Sequence, residues 1–388
     1  MEENQQDLKL PLIIDIGSGE IKAGYSGDEK PKIIFKNFIG EPKYKKVLRP
    51  FSKENQEINE QYIGEDCDKY MGVIKLRYPV KHGIFRTEQD ILLVFNYLYT
   101  KLGLNSEEIQ QHPVLITEPL LNPYSNREKI ADCLFENVGV PALFFSSQPI
   151  LSLFSTSNTS GTVLESGEGV TQSCVVYEGY SLPNSYERFD YGGVDVSENL
   201  KTLLKKRGYQ FNNSTDLRLI NEIKENSCFC LSNNMNIDIS NAKKGLNKYL
   251  MNYYLPDGMA ISIGEERLLA PEILFHPENM GKEFLSMPDI VLSSINKVDL
   301  QLRQKSYENI LVTGGNILIK GLEAKLREEI ESKTYKNLCI NLKSTPNPKF
   351  SCWMGGNMIS TLEIFKKMWV SKNEWNEKGN RIVHIKAI

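Results

Sequence analysis

Two short stretches of the sequence place an acidic residue two positions before one glycine and four positions before another. They are Asp15-Ile-Gly17-Ser-Gly19 and Glu165-Ser-Gly167-Glu-Gly169. Each follows an apolar run that is typical of a strand, and each precedes a second strand-like run. Two copies in the same context indicate an internal duplication.

Glycine turns of this kind can bind phosphate, because a turn without Cβ atoms lets backbone N–H groups approach the phosphate oxygens. Two opposed turns could hold a polyphosphate from both sides. Asp15 and Glu165 would then face Mg²⁺ through its water shell, while the Ser18 hydroxyl and Lys22 would meet phosphate oxygens. The alternative is that both stretches are ordinary glycine-rich hairpins with solvated acids.

A third glycine pair lies in Val312-Thr-Gly314-Gly315-Asn316. It ends an apolar strand and opens a helical segment through Leu322 and Leu326. A backbone approach to a ligand is possible at such a helix start, although Gly-Gly alone more commonly marks a turn.

The elements that position these glycines are predicted from periodicity and from cap residues. Leu12–Ile16 and Glu20–Ser26 predict a hairpin, and Pro31–Phe35 predicts a further strand. Thr87–Asp90 predicts a capping box that opens a helix ending at Gly103.

Further strands and helices alternate along the chain. The predicted elements are a strand at Pro113–Thr117, a helix at Asn126–Gly139, strands at Ala142–Phe145, Gly161–Glu165 and Thr171–Tyr177, a helix at about Val194–Lys206 and a strand at Ile310–Thr313. This alternation predicts two similar α/β domains. The stretch Phe211–Tyr254, rich in Asn and Lys, is predicted to be a helical insertion.

Composition excludes several classes of protein. With 388 residues, 40% hydrophobic and 24% charged, the chain has enough apolar material for two cores, which argues against disorder and collagen-like fibres. The net charge of -3 provides no positive field for nucleic acid or anionic lipid. The N-terminus lacks a signal-peptide pattern and no apolar run is long enough for a bilayer, so an intracellular, cytoplasmic protein is predicted.

The seven Cys and four His residues show neither C-x-x-C nor zinc spacing. Their scatter predicts that they are reduced, half-buried residues that take part in packing.

A separate loop carries Lys43, Lys45, Lys46, Arg49 and Lys53, and it is predicted to be an exposed insertion.

With its three glycine sites in this order, the chain resembles actin and the actin-related proteins. The first hairpin is similar to the family's Asp-x-Gly-Ser-Gly-x-x-Lys-Ala-Gly. Other similar strings are Tyr78–Ile84, Pro113–Pro123, Leu255–Gly258 and Trp353–Gly356. The resemblance covers essentially the whole chain. It implies an actin-like ATPase fold: two ribonuclease H-like domains in four subdomains, with ATP or ADP and Mg²⁺ in the cleft between the domains.

The resemblance also implies domain boundaries. A first lobe would span about 1–155, with an inserted subdomain at about 37–78, and 349–388 would return to it. A second lobe would span 156–348, with an insertion at about 192–280.

Site residues follow from the same resemblance. Phosphates or hydrated metal would contact Asp15, Gly17, Ser18, Gly19 and Lys22, with Gly167, Glu168 and Gly169 opposite. Ribose and adenine would be surrounded by Gly193, Lys224, Glu225, Gly314, Gly315, Leu318, Ile319 and Lys349. Gln148 lies where the family's water-orienting glutamine lies.

Departures from the family pattern concern hydrolysis. Glu165 and Glu168 stand where actins have aspartates, Gln172 replaces the histidine that helps to position the attacking water, and Ile319 replaces a tyrosine. Catalysis would fall to Gln148 and Gln172, so at most a slow ATPase is predicted. The basic loop at Lys43–Lys53 replaces the family's apolar subunit-gripping tip, and the segment Phe275–Gly281 stands at the inter-strand plug without copying it closely.

The sequence therefore predicts a divergent actin-like cytoskeletal or scaffold protein. Its expected partners are actin, actin-related subunits or a larger cytoskeletal assembly, with no direct nucleic-acid or membrane contact. Alternatives are a sugar-kinase-like phosphotransferase, which would need an aspartate base that does not stand out, and a nuclear chromatin-remodelling subunit.

Overall fold

The computed structural model describes residues 8–43, 61–232, 249–255 and 258–387. The strands of this part are β1 Leu12–Ile16, β2 Glu20–Tyr25, β3 Ile33–Lys36, β4 Ile39–Pro42, β5 Tyr62–Ile63, β6 Ile74–Arg77, β7 Val80–Lys81, β8 Ile84–Phe85, β9 Val114–Glu118, β10 Ala142–Ser147, β11 Gly161–Ser166, β12 Thr171–Tyr177, β13 Tyr180–Ser181, β14 Glu187–Phe189, β15 Met251–Tyr254, β16 Ala260–Ile263, β17 Ile310–Thr313, β18 Leu342–Ser344 and β19 Val370–Ser371.

The α-helices of the same ranges are Glu88–Leu102, Ser106–Ile109, Tyr124–Asp132, Gln148–Phe154, Gly193–Lys206, Ser214–Ser227, Glu266–Leu269, Met287–Asn296, Leu300–Glu308, Leu322–Lys333, Ser351–Ser360, Lys372–Lys378 and Ile382–Ile385. Shorter 3₁₀ turns lie between them. Among the described residues, no helix combines the length and the apolarity that crossing a bilayer requires.

The chain forms two compact units. The described parts of Met1–Ser160, Val176–Ser181 and Lys349–Ile388 make unit 1, and those of Gly161–Val175 and Leu182–Pro348 make unit 2. The chain therefore passes from unit 2 back into unit 1 at the Pro348–Lys349 peptide bond.

Unit 1 is built on a six-stranded sheet in the order β19-β10-β9-β1-β2-β3. Strand β1 pairs antiparallel with β2 and parallel with β9, which in turn pairs parallel with β10. Side chains alternate along β1: Leu12 and Ile14 pack into one apolar cluster, and Ile13 packs into another with Trp353. Because both faces are covered, the strand is a continuous apolar run.

Unit 2 repeats this arrangement. Its sheet runs β18-β17-β11-β12, with β13 and β14 both pairing with β12. Strand β11 is parallel to β17, and β17 is parallel to β18. The order β18-β17-β11-β12 corresponds to β10-β9-β1-β2 of unit 1, which is the duplication that the two hairpin sequences indicate.

Several local predictions need correction. The helix predicted at Asn126–Gly139 begins at Tyr124, becomes a π-helix over Cys133–Val138 and ends at Gly139, whose φ of 83° is left-handed. Thr87 caps its helix through a bond from the Asp90 amide, but the Asp90 carboxylate pairs with Arg77, so only half of the predicted box forms.

The predicted helical insertion at Phe211–Tyr254 is also only partly helical. Its helix is Ser214–Ser227, and its last residues form β15, which pairs with β16. Strand pairing here overrides the weak helical periodicity. Residues 233–248 of the insertion lie outside the described ranges.

Candidate nucleotide site

Both glycine hairpins close with the same backbone hydrogen bond. The Gly17 amide donates to the Glu20 carbonyl at 3.0 Å, and the Gly167 amide donates to the Val170 carbonyl at 2.9 Å. Each turn lies between adjacent strands, β1 and β2 or β11 and β12. The duplicated sequence therefore produces a duplicated turn geometry.

Asp15 is buried at the end of β1 with 4% of its surface exposed. Its carboxylate accepts a hydrogen bond from Lys22 Nζ at 2.9 Å and another from Thr117 Oγ1 at 2.7 Å. Lys22 lies opposite Asp15 across the β1–β2 pair. Register thus places the two charges together, as the spacing of seven residues within a hairpin requires.

Burial by itself would raise the pKa of Asp15, but the Lys22 ammonium and the hydrogen bonds to the carboxylate lower it below its ordinary value. Burial would likewise lower the pKa of Lys22, and Asp15 raises it instead. Both groups are therefore ionised at neutral pH.

Thr117 was missed by sequence reasoning. It lies on β9, the parallel neighbour of β1, and its hydroxyl also accepts from the Ile16 amide at 3.3 Å. Gln148, at the start of the helix that follows β10, points its amide nitrogen at Asp15 Oδ1 and at the Ile16 carbonyl, 3.4 Å from each. This predicted catalytic residue thus adjoins the first hairpin.

The first turn suits an anion. Gly17, Ser18 and Gly19 are partly exposed, and the amides of Ser18 and Gly19 donate no hydrogen bond to any described residue. The Ser18 hydroxyl accepts from the Gly83 amide at 3.0 Å. Two amides on one tight turn without a partner among the described residues are a donor set that a phosphate can take.

Gly17 is also required by the hairpin itself. A Cβ at Gly17 would lie 2.6 Å from the Glu20 carbonyl oxygen, whereas a Cβ at Gly167 would meet only the Val170 oxygen, at 3.8 Å. A substitution at Gly17 would therefore damage the turn with or without a ligand. Gly167 has room for a methyl group.

The second strand-end acid has a different partner. Glu165, on β11, accepts from Gln172 Nε2 at 2.9 Å, and Gln172 is 1% exposed on β12. The two predicted catalytic glutamines thus each direct an amide nitrogen toward the acid of one hairpin.

Glu168, Lys224 and Gly193 meet in unit 2. Lys224, buried on the helix Ser214–Ser227, donates from Nζ to Glu168 Oε2 at 3.2 Å and to the Gly193 carbonyl at 2.9 Å. A Cβ on Gly193 would lie 2.4 Å from Glu168 Oε2. These residues, predicted for opposite ends of a nucleotide, form one cluster within the unit.

The third glycine pair packs against the second hairpin. Gly314 has a φ of +96°, and a Cβ there would lie 2.2 Å from the Ser166 carbonyl oxygen. Asn316 donates from Nδ2 to the Gly167 carbonyl at 2.8 Å and to Ser166 Oγ at 2.9 Å. Gly315 faces open space. The predicted helix at this pair begins only at Leu322, after a 3₁₀ turn over Gly315–Leu318.

Four further residues are predicted around ribose and adenine, and the structure places each of them differently. Leu318 is 60% exposed, Ile319 packs on the core of unit 2, and Glu225 is exposed on the helix Ser214–Ser227. Lys349 belongs to unit 1, where it pairs with Glu20 at 2.7 Å.

The acids fit a hydrated metal better than a direct one. The described ranges contain no group of three or more His, Cys, Asp or Glu residues arranged to hold a metal ion. Asp15 and Glu165 each stand as the only acid at the end of their strand. Since Mg²⁺ retains several waters beside one or two carboxylates and phosphate oxygens, both residues suit contact through water.

The two surface predictions differ in how much of each segment the structure describes. Of the basic loop, Lys43 is described and Lys45, Lys46, Arg49 and Lys53 are not. In the plug segment, Phe275 is 4% exposed and packs in the core of unit 2.

Comparison with known proteins agrees with this geometry. The family model described as Actin matches residues 6–388. The chain is also 40% identical over 378 residues to an "Actin-like protein" of Neurospora crassa, with 97% of each chain covered. A match of this extent, on a duplicated sheet with a glycine hairpin in each copy, shows that the chain belongs to the actin family.

Proposed function

We propose that this protein binds Mg-ATP through its two glycine hairpins and acts as a cytoplasmic, cytoskeletal or scaffold subunit. The observation that carries this proposal is the repeated turn, closed by Gly17 to Glu20 and by Gly167 to Val170. Each turn also has an acid at the end of its first strand. The same closing bond and a strand-end acid in both copies favour a shared phosphate ligand over two unrelated structural hairpins.

Different residues of the two hairpins would contact different parts of Mg-ATP. The amides of Ser18 and Gly19 donate to phosphate oxygens, and Lys22 supplies a positive charge that Asp15 holds at the turn. When bound, Mg²⁺ would neutralise phosphate charge, and Asp15 and Glu165 would hold it through its water shell. Gly315, which faces open space, permits the close approach of the nucleoside, and Gly314 lets its loop pack against Ser166.

Hydrolysis is proposed to be slow or absent. The Gln172 amide donates to Glu165, and a carboxamide cannot accept a proton from water at neutral pH. Gln148 can orient a water molecule but has the same chemical limit. ATP therefore serves mainly to fix the conformation that partners recognise.

Nucleotide binding is tested by thermal unfolding of the purified protein with and without Mg-ATP. A ligand at a hundredfold excess over its Kd stabilises the native state by about 2.7 kcal/mol, so the wild-type melting temperature is expected to rise. Gly167→Ala is expected to lose this rise, because the methyl group occupies the space that phosphate needs.

Gly72→Ala is the matched control. A Cβ at Gly72 meets nothing within 4 Å, and the residue lies outside both hairpins, so the rise should persist. A wild-type protein that carries no nucleotide and gains no stability from ATP would refute the proposal.

A further inference from the structure

Glu20 is the first residue after the first hairpin turn, and it performs two tasks. Its carbonyl accepts the Gly17 amide that closes the turn. Its carboxylate lies 2.8 Å from Lys36 Nζ and 2.7 Å from Lys349 Nζ. The Glu20 side chain is 11% exposed, whereas the two lysines are 40% and 37% exposed.

The two lysines favour the ionised form of the Glu20 carboxylate. Burial would raise the pKa of Glu20, but the two ammonium groups lower it below its ordinary value. One carboxylate and two ammonium groups leave a net positive charge beside the turn, which favours a phosphate ligand.

The residue before Lys349, Pro348, is hydrogen-bonded to a different loop, the one that contains Gly314. The Pro348 carbonyl accepts the Gly314 amide at 3.0 Å and the Thr313 hydroxyl at 2.7 Å, both within unit 2. Pro348 is buried. Two consecutive residues are thus bound to two of the loops proposed for the nucleotide, Pro348 to the Gly314 loop and Lys349 to the residue that closes the first hairpin.

We propose that Glu20 is a positioning residue that holds the Pro348–Lys349 segment in place. By doing so, it keeps the Gly314 loop in its hydrogen-bonded form. Glu20 acts through its ion pair with the Lys349 ammonium. The inference rests on the proposed function, because it assigns to the phosphate turn a role in ordering the loop proposed for the nucleoside.

Amide hydrogen exchange at Gly314 in the nucleotide-free protein tests this role directly. Glu20→Gln keeps the shape of the side chain and removes its charge. Partly exposed ion pairs contribute less than about 1 kcal/mol, so exchange of the Gly314 amide should be roughly two- to fivefold faster. Lys349→Met should have the same effect.

Lys36→Met is the control, because it removes the other lysine and leaves the Glu20–Lys349 pair in place. Gly314 exchange should then match the wild-type rate, and the charge-reversed pair Glu20→Lys with Lys349→Glu should restore protection. Unchanged exchange in both Glu20→Gln and Lys349→Met, or an equal increase in Lys36→Met, would overturn the inference. Failure of the wild type to bind Mg-ATP would instead reject the proposed function, since the exchange comparison needs no nucleotide.

Discussion

At the scale of single residues, the two strand-end acids differ in what holds them. Asp15 accepts from a lysine, and Glu165 accepts from Gln172, an amide that cannot relay a proton. Glutamate also places its carboxylate one methylene, roughly 1.5 Å of bond length, further from the backbone than aspartate. We therefore expect both the position of the Glu165 carboxylate and the low basicity of Gln172 to slow any hydrolysis at the second hairpin.

Restoring both features should accelerate hydrolysis. Gln172→His together with Glu165→Asp is expected to release phosphate from bound ATP about tenfold faster or more, since a misplacement of about 1 Å can cost on the order of a hundredfold. Single-turnover phosphate release measures the rate, with Glu165→Asp alone as the control. A double variant no faster than wild type would show that these residues do not control the reaction.

The buried Asp15–Lys22 pair predicts a pH dependence of stability. Because the pKa of Asp15 is lowered in the native state, its contribution is present above the unfolded value of about 3.8 and is lost as pH falls through the native value. Asp15→Asn leaves the Lys22 charge buried without its counter-ion, which should cost about 3–5 kcal/mol at neutral pH.

Urea unfolding between pH 7 and pH 3 measures both effects. The variant should show a shallower loss of stability at acid pH, because the titrating carboxylate is gone. Adding Lys22→Met should recover part of the loss at neutral pH. Equal acid slopes for wild type and Asp15→Asn would contradict this assignment.

At the scale of elements, the helices Gln148–Phe154 and Ser351–Ser360 depend on one glycine. A Cβ on Gly355 would lie 1.7 Å from the Leu151 carbonyl oxygen, which is backbone and cannot move aside alone. Gly355→Ala should therefore separate the helices and lower the free energy of unfolding by about 3 kcal/mol.

Gly356→Ala provides the adjacent comparison. Its Cβ would meet Ile13 Cγ2 at 3.0 Å and Leu115 Cδ2 at 3.4 Å, and side chains can yield by a few tenths of an ångström. With the entropic gain of alanine over glycine in a helix, its net effect should be within about 1 kcal/mol. Urea midpoints that fail to separate the two variants would refute this packing account.

At the scale of the whole molecule, the plug segment and the basic loop affect whether the protein can assemble with copies of itself. In the plug segment Phe275–Gly281, the aromatic residue Phe275 is buried, while His276 and Glu278 are exposed and 3.0 Å apart. Charged groups are costly to bury at an interface. The sequence of the basic loop has five Lys and Arg residues from Lys43 to Lys53. This charge also disfavours burial of the loop in an interface between copies.

We therefore expect weak or absent self-assembly by the protein alone. In sedimentation under salt conditions that polymerise actin, most of the protein should stay in the supernatant, and purification from its own cells should bring actin-related or other cytoskeletal partners with it. Robust filaments of the isolated chain would show that other surfaces suffice.

The sequence by itself determined what is local. The apolar runs at Leu12–Ile16 and Ile310–Thr313 form strands at the predicted residues, and the glycine turns form where the spacing predicts them. Turn chemistry and periodicity depend on neighbours in the chain, so they can be read without the fold. Family membership also follows from these strings.

Tertiary structure alone decided which residues meet. Thr117 contacts Asp15 across 102 residues of sequence, Asn316 reaches Gly167 across 149, and Lys349 reaches Glu20 across 329. Neither periodicity nor spacing encodes such pairs, because they depend on which strands become parallel neighbours and on where the chain returns. The repeated sheet order sets the first two pairs, and the return of the chain at Lys349 sets the third.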